Sequence, residues 1–231
     1  EVPFLGSFVG LAALYALALV VLMLTQLPPA SRTHGEGNAL PLGKILRQPG
    51  FIVAVSAAMV GYGVMNLAMT ATPLAMAGAG HHFNHVSMTI QWHVVAMFLP
   101  SFFTGHLVTR FGAKQVIVAG CLLLVASALV AQLGIGLAGF NVALILLGLG
   151  WNFTFLPATG LLTESYRPVD KARTQAANEF LVFGTAAITA LLAGPLVSGL
   201  GWATLNLLLI PISLVPLAVL VWQHRTKLAN A

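Results

Sequence analysis

The side chains best equipped to hold a solute or pass a proton lie inside apolar runs, not in loops. Gln91-Trp92-His93 sits in one such run. An imidazole there can bind a polar solute or exchange a proton near neutral pH. It can equally donate to a carbonyl of a neighbouring helix, and Gln91 can serve a substrate or act as interhelical glue. Asn66 and Thr70 are four residues apart and share a helix face. Pro73, just beyond them, frees a carbonyl one turn back and bends the segment. In Gly148-Leu149-Gly150-Trp151-Asn152-Phe153-Thr154-Phe155-Leu156-Pro157, a Trp and an Asn fall mid-run, away from the interfaces where Trp normally anchors. That pattern reads as an aromatic platform on a deformable helix, with core packing as the plainer alternative. Glu179, beside Asn178, is the one acid clearly inside an apolar run. It either complements a helix N-terminus or serves as a protonation site.

These groups need elements that carry them at membrane depth. The chain has 231 residues, 58% hydrophobic and 6% charged, with a mean hydropathy of +0.94. Soluble domains carry roughly a quarter charged residues, so the expected class is an all-α, polytopic helical bundle in a bilayer. A crossing takes about 20 apolar residues, and seven runs meet that length: 4–27, 51–77, 86–108, 114–135, 139–163, 175–198 and 201–222. Between the first and second, residues 28–50 form the one long polar link, with Leu40, Leu42, Ile45 and Leu46 on a short surface-lying helix. A small-residue face (Ala186, Ala187, Ala190, Ala193, Gly194) in the sixth run points to close helix packing.

The basic residues set the expected orientation. Arg32, Lys44 and Arg47 follow the first run, Arg110 and Lys114 the third, Arg167, Lys171 and Arg173 the fifth, and Arg225 and Lys227 the seventh. The links at 78–85, 136–139 and 198–201 hold no Lys or Arg. All ten cations fall on one side, which the positive-inside rule makes cytoplasmic. The N-terminus is then outside and the C-terminus inside, in a cell membrane. The net charge of +5 comes in small groups between apolar runs, not in a nucleic-acid-binding patch. Cys121 is single and encodes no disulfide framework. His81, His82 and His85 have no acid or thiol nearby to complete a metal site, so no metal and no cofactor is expected. A chain opening Glu1-Val2-Pro3, without Met or a cationic leader, is expected to be a piece of a longer protein.

The third link, Gly105-His106-Leu107-Val108-Thr109-Arg110-Phe111-Gly112-Ala113-Lys114, carries two cations and two glycines between apolar runs. Gly105 would let helices approach, Gly112 would take a positive φ, and Arg110 and Lys114 would hold the turn at the anionic leaflet. It resembles the G-x-L-x-D-R-x-G-R-K turn of the major facilitator superfamily of secondary transporters, with Thr109 where the family usually has Asp. The resemblance implies that residues 1–27 are the last helix of a missing N-terminal half, 28–50 the central cytoplasmic loop, and 51–231 a six-helix C-terminal half. It implies two inverted three-helix units, 51–135 and 139–222, and a midplane site for a small organic solute, worked by alternating access. Glu164-Ser165-Tyr166-Arg167-Pro168, with Lys171 and Arg173, is similar to the loop before the family's eleventh helix. That cluster reads as a cytoplasmic gate or latch, with Glu164 as partner to Arg110.

Asn66, Thr70, Gln91, His93, Trp151 and Asn152 are then the substrate-binding candidates, and His93 and Glu179 the proton-coupling ones. A heptahelical receptor or channel is the alternative, but residues 201–222 hold no Lys for a retinal Schiff base and no filter sequence is present. No nucleophile–base pair or H-E-x-x-H motif points to an enzyme, and no G-x-x-x-x-G-K-[ST] loop points to ATP.

Overall fold

The structure, a computed structural model, describes residues 5–25 and 39–229, the side chains from 227 onward excepted. Arg32 and the Lys227 side chain lie outside the described residues. The chain is helical, with no strand among the described residues. Helix α1 (Leu5–Leu24) forms part of a unit of its own. It carries no charged residue, so it has no polar face to turn to water and suits a lipid surround.

The second unit runs through α2 (Leu42–Leu46), α3 (Pro49–Gly78), α4 (Phe83–Phe98), α5 (Ser101–Phe111), α6 (Ala113–Val130), α7 (Leu137–Glu164) and α8 (Lys171–Ala229). Short 3-10 turns sit at Ala131–Leu133 and Pro168–Asp170. Among the described residues six helical stretches are long and apolar enough to cross a membrane; α4 and α5 together make one, and the last runs Pro168–Thr226. That last stretch has 59 residues, far more than the ~20 that one crossing takes. It is interrupted at Gly201, whose φ of 79° and ψ of 166° are open to glycine and strained for other residues. The two final crossings of the sequence reading are therefore two arms of one run, 171–200 and 202–229, hinged on a single residue.

Helix α3 packs mainly on α8 and α7, α6 on α7 and α8, and α4 on α7, so α7 is the central helix. Glycines allow this closeness. A Cβ on Gly148 would lie 2.7 Å from the His93 carbonyl oxygen of α4, and one on Gly120 would lie 2.7 Å from backbone atoms of Phe153 and Thr154 in α7. Gly150 meets Leu124 of α6 just as tightly, and Gly61 meets Thr154. Gly105, expected as a close-approach position, faces no neighbouring helix within 4 Å of where its Cβ would lie among the described residues, and the tight crossings within this unit are made at the other glycines. The small-residue face of α8 divides: Ala193 is buried and the Ala186 carbonyl meets α3, while Ala187 and Ala190 are exposed.

The helices alternate in direction, and their ends sort by charge. Gly50, Lys114, Glu164 and Gln223 line one small cavity at the basic end, while Gly78, Ile135 and Gly201 line another at the opposite end.

Candidate functional site

Four helices contribute a ring each from near the middle of their length: Tyr62 from α3, Phe98 from the α4–α5 stretch, Trp151 from α7 and Phe183 from the first arm of α8. Phe155 lies one turn beyond Trp151. The Trp151 and Phe155 rings stack at 5.2 Å and 14°, and Phe98 meets Trp151 edge-on at 5.7 Å. Tyr62 stands edge-on to Trp151, Phe155 and Phe183 at 6.1, 5.5 and 5.6 Å. Edge-to-face and offset stacks are the favoured arrangements of aromatic quadrupoles. Phe98 and Phe183 remain 55% and 50% exposed, so two of the rings are only half covered by the rest of this chain. Trp151 is buried, yet its Nε1 meets no hydrogen-bond partner among the described residues. A buried N–H without an acceptor is costly.

Asn66 and Thr70 lie on the Tyr62 face of α3, one and two turns along. Asn66 Nδ2 donates to the Ala186 carbonyl at 2.8 Å and to Thr189 Oγ1 at 3.0 Å, which ties α3 to α8. Its Oδ1 receives no donor among the described residues. Glu179 is exposed on α8, one turn from Phe183 toward the basic end, and accepts a 3.3 Å bond from Asn178.

The other polar candidates sit elsewhere. His93 is fully buried between α4 and α7, its Nδ1 2.8 Å from the Leu144 carbonyl and its Nε2 without a partner among the described residues. Asn152 is also fully buried. Its Nδ2 donates to the Met97 carbonyl and to Ser101 Oγ, both at 2.7 Å, and its Oδ1 accepts from Thr104 Oγ1 at 2.6 Å. With Thr89 Oγ1 donating to Asn141 Oδ1 at 2.6 Å, these groups stitch α4 and α5 to one face of α7: Asn141, Leu144, Gly148 and Asn152. Gln91 is exposed, with only a long bond of 3.5 Å to Ser87, on a different face of α4 from His93. The structure thus sets Trp151 against Tyr62, with Asn66 one turn along α3 from Tyr62 and Thr70 a further turn away, while His93 and Asn152 face the α4–α7 seam and Gln91 is exposed on another face of α4.

Tyr62, Phe98, Phe155 and Phe183 were not among the sequence candidates. Their signal was there: aromatic side chains at mid-run, where the interfacial belt does not account for them.

At the basic end, Gly112 takes φ 89°, as the turn demanded. Lys114 donates to Gln223 Oε1, joining the start of α6 to the end of α8. The expected Arg110–Glu164 pair is absent among the described residues. Arg110 lies over its neighbour Phe111, 5.3 Å from the ring centre, and Glu164 shares its cavity with Lys114 instead. Thr109, which replaces the family's Asp, donates to the His106 carbonyl at 2.8 Å.

The residue that organises the cluster at the basic end is Asp170, which was not among the sequence candidates. It lies in the link before the expected 175–198 crossing and is 2% exposed. Arg167 Nε donates to Oδ2 and the Leu40 backbone N–H to Oδ1, both at 2.7 Å. Arg173 Nη1 donates to the Leu40 carbonyl at 3.1 Å, so both backbone groups of Leu40 are held. This seats α2 against the bundle, with Ile45 buried beside Phe51 and Leu162. The Arg167 hydrogen bond, then the Leu40 N–H, hold the Asp170 carboxyl below the usual carboxylate range.

No family model matches the chain. The riboflavin transporter RfnT of Brucella anthropi is 43% identical over the whole of it, and the uncharacterized MFS-type transporter YdeG of Bacillus subtilis is 34% identical over 95%. A second Bacillus subtilis protein, the uncharacterized MFS-type transporter YddS, is 29% identical over 95% of the chain. The chain spans about half the length of the curated relatives it matches, 58% of RfnT and 54% of YdeG and of YddS. End-to-end similarity to these transporters, joined to the order of helices, makes the chain a member of the major facilitator superfamily, in its C-terminal half.

Proposed function

We propose that the chain is the C-terminal half, preceded by the last helix of the N-terminal half, of a carrier that moves riboflavin or a similar planar, hydrogen-bonding aromatic solute by alternating access. The observation that carries this reading is the mid-helix ring cluster, two of whose rings are half exposed. Flat heteroaromatic rings stack on such a surface, and the carbonyls and ring N–H of a flavin complement the unpartnered Trp151 Nε1 and Asn66 Oδ1. The name of the Brucella anthropi relative supports the choice of solute.

In this reading the basic end faces the cytoplasm, the N-terminus lies outside, and the membrane is the cell membrane. The central loop is pinned by Asp170 and Arg173. Transport is coupled to protons, and of the two candidates Glu179 has the access a relay needs, being exposed beside the cluster, whereas His93 is sealed.

The test is uptake of radiolabelled riboflavin by cells that lack their own carrier and express the whole-length protein. Accumulation above the external concentration separates a carrier from a channel or receptor. Trp151→Ala should cut uptake about tenfold or more at equal membrane abundance, the loss of one stacked ring and one hydrogen bond. Glu179→Gln should remove the pH-dependence of uptake. Wild-type uptake by Trp151→Ala, Tyr62→Ala and Phe183→Ala alike would overturn the reading of the site.

A further inference from the structure

We propose that Asn152 is a positioning residue of this carrier: it latches a broken helix beside the aromatic cluster, and its release is the hinge step that lets α5 swing. The inference rests on the transport reading for its purpose, but its geometry is independent of the solute.

The α4–α5 stretch is interrupted at mid-membrane depth. Pro100 has no N–H to give, and the backbone N–H groups of Phe103 and Thr104 both turn to the Pro100 carbonyl, at 2.9 and 2.8 Å. Phe102 makes a long 3.4 Å bond to Leu99, and no backbone N–H of the following turn reaches the Met97 carbonyl among the described residues. Inside a bilayer such a freed carbonyl is tolerated only when something else satisfies it. Asn152 of α7 supplies that donor, and its remaining groups close on Ser101 and Thr104 across the break. One amide therefore grips both sides of the interruption.

The grip sits next to the rings. Met97 precedes Phe98 and Trp151 precedes Asn152, so the clamp fixes the edge-on contact between Phe98 and Trp151. At the break Leu99 is 58% exposed and just beyond it Phe102 is 90% exposed, so that face of α5 is not packed against the rest of this chain, and Thr104 is the one buried residue of α5. Breaking the clamp frees α5 at the basic end and disturbs the platform in the same movement. The two events are thereby coupled through a single side chain.

The experiment uses the whole-length protein carrying Val108→Cys, half-buried one turn beyond Thr104 on the same face of α5, with Cys121 replaced by Ala, and follows the rate of alkylation by a membrane-permeant maleimide without solute. Three interhelical hydrogen bonds at their average membrane worth correspond to roughly a twentyfold shift in a latched–released equilibrium, and one bond to about threefold. Asn152→Ala should speed labelling by about twentyfold and Thr104→Val by about threefold, with Thr104→Ser at the wild-type rate. In uptake assays the same two variants should change maximal rate more than KM. Wild-type labelling in both Asn152→Ala and Thr104→Val overturns the latch, as does Thr104→Ser behaving like Thr104→Val. Should Asn152→Ala fail to reach the membrane, the two Thr104 variants decide alone. If labelling responds as expected while the wild type carries no riboflavin, the solute assignment fails and the latch stands. If riboflavin is carried and labelling does not respond, the reverse holds.

Discussion

Replacing Gly148 by alanine should push α4 away from α7. The added Cβ would lie 2.7 Å from the His93 carbonyl oxygen and 3.0 Å from the Met97 nitrogen, both backbone atoms that cannot rotate aside. Restoring ordinary contact, about 3.4 Å or more, separates the helices by roughly 0.7 Å. The same displacement would stretch the 2.8 Å His93–Leu144 bond and the 2.7 Å Asn152–Met97 bond to about 3.4–3.5 Å, beyond the normal hydrogen-bond range. Overpacking costs about 1–3 kcal/mol and two weakened interhelical bonds roughly 1 more, against a return of about 1 kcal/mol in helix propensity. The net is about 1–3 kcal/mol, or a melting point lower by roughly 2–12 °C for a domain of this size. Gly160 of the same helix provides the control, because nothing in the chain lies within 4 Å of its Cβ position. Gly160→Ala should be neutral or slightly stabilising. Melting of the purified protein in detergent, followed by size-exclusion fluorescence, reads both. Equal melting points for Gly148→Ala and Gly160→Ala would refute the argument that α4 and α7 are held at glycine distance.

Acid should loosen the hold of Asp170 on Leu40. A carboxyl whose folded pKa is depressed, as that of Asp170 is by Arg167 and the Leu40 N–H, stabilises the folded state above its unfolded value of about 3.9, and that contribution is lost as pH falls through the folded value. Protection of the Leu40 amide from hydrogen exchange, corrected for intrinsic rates, should therefore persist at neutral pH and fall in strong acid. Asp170→Asn should flatten that profile, and an unchanged one would count against the clamp. On the proposed function, Trp151→Phe keeps a ring but loses the indole N–H, so binding of riboflavin, the solute proposed above, should weaken about fivefold, with Trp151→Ala weaker still; equal affinities in Trp151→Phe and wild type would remove the indole donor from the proposed site. Cysteines placed at 110 and 167 should react only with reagent on the cytoplasmic side, and one at 82 only from outside. Labelling of 110 and 167 from opposite faces would break the proposed topology.

The crossings were readable because a bilayer imposes a length, and runs such as 51–77 and 114–135 fall within two or three residues of α3 and of α6 with its 3-10 turn. The break at Pro100 was only half readable. Proline announces the lost donor, but the amide that replaces it is Asn152, on another helix and far along the chain. Asp170 was missed for the same reason: a lone acid in a short link gains its meaning from Leu40, 130 residues earlier. Arg110 and Glu164 suggested a pair by charge alone, yet Lys114 is the cation that shares the Glu164 cavity. Gly105 was singled out by motif, whereas Gly120, Gly148 and Gly150 matter through neighbours that no local pattern reveals.

The crowding around α7 restricts how this half can be re-tailored. Trp151 stands on a helix that cannot gain a methyl group at 148 without displacing its neighbour, and the Gly150 and Gly120 approaches hold it equally closely on the α6 side. In the proposed carrier, changes of ring volume are then tolerated best at Phe98 and Phe183, whose side chains are about half exposed. Libraries directed at those two positions should keep more folded protein than libraries at 120, 148 and 150, where a Cβ already meets backbone or side-chain atoms of the neighbouring helix.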